Sequence, residues 1–249
     1  MSQPVASALP VLPLPIERAL KAFIQAADDL LGDDLVSVVL YGSAAEGRLR
    51  AMSDVNLLMV LTAFRPEALD DLREPLRLAK AACNLNTMFV QVYEISPLAR
   101  AFAGKFSDIQ HRHVVLLGDD PFATLVIPKE AVISHLQQTL LNLTLRTREA
   151  YLLRSLREEQ LSPLLVDLVG PLRAAAATLL RLQGQPAHSP KAALAIVAER
   201  EGGMYWLSAL DQLSALREGE VAPPGVATDM VLNLLTLMER LQLCVDQLA

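Results

Sequence analysis

Apolar and polar positions follow two different rhythms in the two halves of the chain. Residues 16–31 place Ala19, Phe23, Ala26 and Leu30 at helical spacing with acids outside, which predicts an amphipathic helix ended by Gly32. Residues 36–41, VSVVLY, form a β-branched run that predicts a strand, and residues 55–61 predict a second. Between them, residues 44–47 read as a short helical turn, then a loop through Arg48, Arg50 and Ser53. Residues 66–83 predict a helix kinked at Pro75, and residues 87–95 a third strand. A short helix to Phe102 follows, with Pro97 in its first turn. A fourth strand over 114–117 closes on Gly118-Asp119-Asp120-Pro121.

From Pro128 the strand signals vanish. Helical periodicity runs through 129–158, 164–182, 192–201, 204–217 and 226–248. This order predicts an α/β (α+β) domain over residues 16–125 and an all-α helical bundle over 128–249, after an extended arm over 1–15 that carries Pro4, Pro10, Pro13 and Pro15. In the last helix, Val231, Leu235, Met238 and Val245 share one side, and Leu234, Leu237, Leu241 and Leu248 the next. So wide an apolar face reads as a helix buried in its bundle, with a homodimer seam as the alternative.

Composition sharpens this picture in three respects. Hydrophobic residues make up 52% of the chain while aromatics are 4%, a palette that favours helix packing over a β-sandwich. The most apolar stretch, 161–182, is interrupted by Asp167, Gly170, Pro171 and Arg173, so no membrane span is expected. A net charge of −6 supplies no global basic field and argues against nucleic acid as a partner. Cys83 and Cys244 sit in helical apolar stretches and read as reduced thiols; together with a start that lacks a signal core, they imply a cytoplasmic location.

The chemistry concentrates in residues 40–58, LYGSAAEGRLRAMSDVNLL. A strand ends at Gly42-Ser43, where backbone N–H groups and the Ser43 hydroxyl would face an anion, and Gly42 lets a phosphate approach the backbone. The next strand opens with Asp54-Val55-Asn56. Residues i and i+2 of a strand share a face, so Asp54 and Asn56 point the same way. An anion-binding corner beside an acid and an amide reads as a nucleotide site, with Arg48 and Arg50 as further phosphate grips or solvated loop residues.

This stretch resembles the signature of the DNA polymerase beta-type nucleotidyltransferase superfamily: Gly-Ser closing one strand, a loop of about a dozen residues, then an Asp-apolar-Asp pair. The resemblance covers residues 16–125, and Gly118-Asp119-Asp120-Pro121 is similar to the turn that ends small bacterial members. It implies a mixed sheet, nucleoside triphosphate as substrate, and two Mg2+ ions held by the acid pair and a third acid on a neighbouring strand. Carried over by residue, Gly42 and Ser43 match the phosphate-holding pair and Asp54 the first acid, while Asn56 stands at the second and Gln91 at the third. Two of three carboxylates are thus amides. At an effective dielectric near 20, each charge lost about 4 Å from a cation removes roughly 4 kcal/mol per unit of cation charge.

Three functions follow from the resemblance. The first is a nucleotide-binding protein with degraded or absent transfer. The second is an active Mg2+-dependent nucleotidyltransferase acting on a small molecule or protein, its Asp54 assisted by Glu94 or Glu46, with Asp167 or Glu158 of the helical half as base. The third arises because Arg181 and His188, in a helix–loop–helix segment, resemble the HEPN superfamily, which implies an RNase or toxin–antitoxin component. Lys105 and Arg112 are further candidates to reach a nucleotide, and His111 with His113 lacks the partner cluster that zinc requires.

Overall fold

The computed structural model describes residues 10–49, 54–202, 204–217 and 225–248. The chain divides into two compact units, Met1–Pro128 and Lys129–Ala249. In the first, β1 (Leu35–Tyr41), β2 (Val55–Leu61), β3 (Leu85–Gln91) and β4 (His113–Gly118) form one mixed sheet in the order β3-β2-β1-β4. β1 runs antiparallel to both β2 and β4, and β2 runs parallel to β3.

Both faces of this sheet are covered. Val38, Leu40, Val55, Leu57 and Met59 pack with Leu20, Phe23 and Ala27 of α1 (Leu14–Leu31) and with Ala79 and Cys83 of α3 (Arg73–Cys83). Val39, Leu58, Val60 and Val90 pack on the other side with Ile95 and Ala99 of α4 (Ile95–Ala101), Phe106 and Ile109 of α5 (Ala103–His111), and Phe122. Burial on two faces explains why the strands are apolar runs rather than alternating ones.

Several local expectations need correction. The buried stripe of α1 is Leu20, Phe23, Ala27 and Leu31; it keeps Phe23 and otherwise lies one position round from the predicted set, because Leu20 goes inward in place of Ala19. The helix over 66–83 is two helices, α2 (Pro66–Asp71) and α3, broken at Leu72. A proline ring clashes with the carbonyl four residues earlier, so Pro75 breaks the helix at Asp71 and itself sits in the first turn of α3. β3 stops at Gln91, where the Glu94 carboxylate accepts the Gln91 N–H at 2.8 Å in a capping box that turns the chain into α4. Residues 44–47 form a hydrogen-bonded turn, not a helix. α5 was not expected at all.

The second unit is helical: α6 (Lys129–Arg154), α7 (Leu161–Leu182), α8 (Pro190–Gly202), α9 (Met204–Arg217) and α10 (Val226–Asp246). α7 is the central element, burying Leu161, Leu165, Leu168, Leu172 and Leu179. Contrary to expectation, the stretch 158–182 is long and apolar enough to cross a bilayer by length and composition, although 56% of its most apolar window is buried inside the protein. Both stripes of α10 are buried, with Val231, Met238 and Val245 on one and Leu234, Leu237 and Leu241 on the other. Between α8 and α9, a Cβ on Gly202 would overlap the buried Trp206 ring.

Two positions test these assignments. Gly118 has φ +75°, and a Cβ there would overlap the Val36 carbonyl oxygen. Gly118→Ala is expected to destabilise the sheet unit by about 2–4 kcal/mol, read by chemical denaturation. Leu165 is fully buried in α7, and Leu165→Ala should cost roughly 3 kcal/mol in the same measurement.

Candidate nucleotide site

Strand pairing assembles the candidate corner. In the β1–β2 ladder Tyr41 lies opposite Asn56, and in the β2–β3 ladder Asn56 lies opposite Asn86. A Cβ on Gly42 would stand 3.8 Å from Asn56 Nδ2, so the glycine and the amide are neighbours. Gly42 and Gly47 take φ +77° and +65° at the two ends of the turn, conformations that favour glycine. Gly42 donates its N–H to the Arg112 carbonyl at 3.0 Å, and Arg48 donates its N–H to the Ser43 carbonyl at 2.9 Å. The backbone of Val11 passes close beside Gly47.

Asp54 sits just before β2, exposed, and Asn84 Nδ2 donates to its carboxylate. Asn84 closes α3 in the left-handed region, φ 50°, which asparagine tolerates better than most residues. Asn86 Nδ2 donates to Asn56 Oδ1 at 3.3 Å. The two paired strands thus present Asp54 with Asn56, and Asn84 with Asn86: one carboxylate among three amides. Residues 84 and 86 were missed in the sequence. Their signal is the parity of Asn84-Leu85-Asn86, amides on one side and a buried leucine on the other, the pattern that Asp54-Val55-Asn56 also shows.

Gln91 is not part of this corner, which corrects the expected third position. It lies opposite Leu61 at the far end of the β2–β3 ladder, five residues or about 17 Å along the strand from Asn86. It also has the opposite parity, and its Nε2 donates to Tyr93 Oη at 2.9 Å. The position beside the Asp54–Asn56 pair belongs to Asn86. Glu94 follows Gln91 at that far end, where its carboxylate caps the chain, so it is no metal partner for Asp54.

Glu46 lies in the turn after Ser43 but is paired with Arg112, Oε2 to Nη2 at 2.7 Å, and Arg112 also reaches Asp108 at 3.2 Å. Burial opposes the Arg112 charge, but the two carboxylates outweigh it and hold its pKa above the ordinary value. Burial also pushes the half-buried Tyr41 phenol upward from its ordinary value. Arg48 and Lys105 are exposed, and Arg50 lies outside the described residues.

Other candidates are occupied elsewhere. His111 Nδ1 lies 2.6 Å from the Ser107 carbonyl, while His113 sits between the Gln110 carbonyl, Asp120 and the Phe122 ring. Glu158 accepts the N–H groups of Gly225 and Ala227 at 2.7 and 3.0 Å, capping α10. That is a structural task, unlike the role of base that the resemblance allows it. Asp167 is exposed on α7, and Arg181 donates to Thr178 Oγ1 at 3.1 Å within the same helix. Among the described residues, no group of three or more His, Cys, Asp or Glu side chains could share a metal ion. Neutral amide oxygens coordinate hard cations weakly, and Mg2+ dehydrates reluctantly, so the donor set around Asp54 does not fit a pair of Mg2+ ions.

No family model matches the sequence, and no significant match to a curated protein is found. Among solved structures, the chain is similar to spectinomycin adenyltransferase AAD(9) from Enterococcus faecialis, crystallised with ATP and spectinomycin. The TM-score is 0.59 at 13% identity, with 92% of this chain and 99% of that one covered. This likeness, with the mixed four-stranded sheet and the helices that follow it, shows a nucleotidyltransferase-like fold joined to an all-helical part.

Proposed function

We propose that this chain binds a nucleotide at the Gly42-Ser43 turn and that its metal-dependent transfer chemistry is degraded or absent. The observation that carries the reading is the composition of the polar row, one carboxylate in Asp54 among Asn56, Asn84 and Asn86. The turn keeps what a phosphate needs, glycine at both ends and a serine within, whereas the row beside it has little charge with which to hold a divalent ion. A nucleoside triphosphate is the ligand this arrangement fits, and ATP is the first to test because the structurally similar adenyltransferase was solved with it.

The second reading, an active transferase on a small molecule, draws on the same neighbour, which was crystallised with spectinomycin as well as ATP. It requires a second acid near Asp54. Glu46 is the nearest candidate along the chain, and its pairing with Arg112 opposes that use.

Isothermal titration separates the two. On the first reading ATP binds, and adding Mg2+ changes Kd by less than about threefold. Dependence of about tenfold or more that disappears in Asp54→Ala would support the enzyme. Gly42→Val should weaken ATP at least about tenfold, because the side chain fills the approach to the backbone beside Asn56. Restoring charge with Asn56→Asp and Asn86→Glu together should create a Mg2+ dependence of about tenfold that the parent lacks.

A further inference from the structure

α6 is apolar on two sides. Ile133, Leu136 and Leu140 pack into the helical core. Round the helix, Leu141, Leu145 and Leu152 are 52%, 60% and 76% exposed, and Leu156, just past the helix end, is 98% exposed. The Ser155 N–H still donates to the Tyr151 carbonyl at 2.8 Å, so the helical path runs on towards Leu156. At about 100° per residue the four leucines fall within an arc of roughly 60°. Scattered exposed leucines are ordinary on a protein surface, but a row of four along one helix face is not.

Their spacing has a symmetry. The steps from Leu141 to Leu145, Leu152 and Leu156 are 4, 7 and 4 residues, a sequence that reads the same from either end about a centre between Arg148 and Glu149. A row with that property is complementary to its own copy running antiparallel across a two-fold axis. Leu141 then meets the partner's Leu156, and Leu145 meets the partner's Leu152. The centre falls between Arg148, whose charge is held by Glu239 of α10 at 2.9 Å, and Glu149, and each lies beside its own copy across the axis.

The area agrees. The four leucines leave roughly 500 Å² of side chain in solvent, so two copies sharing the row would bury at most about 1,000 Å² from the leucines themselves, the threshold for a specific interface. α10, the other candidate seam, has both apolar stripes inside its own bundle. We infer that the chain forms a homodimer through antiparallel pairing of the α6 leucine row, centred between Arg148 and Glu149.

Sedimentation equilibrium of the full chain across the micromolar range should give twice the monomer mass of 27.1 kDa. Leu145→Lys with Leu152→Lys should raise the dimer Kd at least about 100-fold, while the far-ultraviolet circular dichroism spectrum stays unchanged because both positions are exposed in the monomer. A second measurement reads the orientation. Leu145→Cys chains mixed with Leu152→Cys chains, each also carrying Cys244→Ser, should oxidise to a disulfide-linked heterodimer faster than either does alone. A chain that is monomeric throughout, a dimer that survives both lysines, or equal cross-linking rates in mixture and single variants would each overturn the inference.

Discussion

The antiparallel ladder between β1 and β2 is the constraint on which the candidate site rests. Its register sets Tyr41 against Asn56, and only that pairing brings Gly42 beside the amide and places the turn next to Asp54. A slip of one residue would carry Asp54 and Asn56 to the opposite face of the sheet, under α1 and α3. The slip is resisted because both faces are apolar and already filled, by Leu57 and Met59 on one side and Leu58 and Val60 on the other. The hydrophobic core thus fixes a polar geometry at the strand ends that those polar residues could not fix by themselves.

Electrostatics then separate two neighbouring features. The polar row carries a single charge, that of Asp54, and its hydrogen bonds run sideways between strands, from Asn84 to Asp54 and from Asn86 to Asn56. The only acid within the described part of the turn, Glu46, is neutralised by Arg112, which also receives the Gly42 N–H on its carbonyl. One arginine therefore steadies the turn through its backbone and removes a repulsive charge through its side chain.

Much of this was readable from residues near one another in the chain. The apolar runs at 36–41 and 55–61, the intervening Gly42-Ser43 and the opening Asp54-Val55-Asn56 all lie within one short stretch of sequence. The third position was not readable, because it depends on the register of β3 against β2, and nothing local in the sequence specifies a parallel pairing across two helices. The resemblance carried the third position onto Gln91 in a strand expected over 87–95, whereas the strand starts two residues earlier, after the left-handed Asn84, and stops at Gln91 with the Glu94 cap. The break at Leu72 illustrates the same limit on a smaller scale: Pro75 acts four residues upstream of itself, where the sequence gives no mark.

Trp206 is the chain's single tryptophan, and its buried ring is seated against Gly202 in the helical unit. Its emission is therefore a spectroscopic label already built into one half of the molecule and silent about the sheet. Comparing that emission with far-ultraviolet ellipticity during denaturation would reveal whether the two halves melt together or in turn.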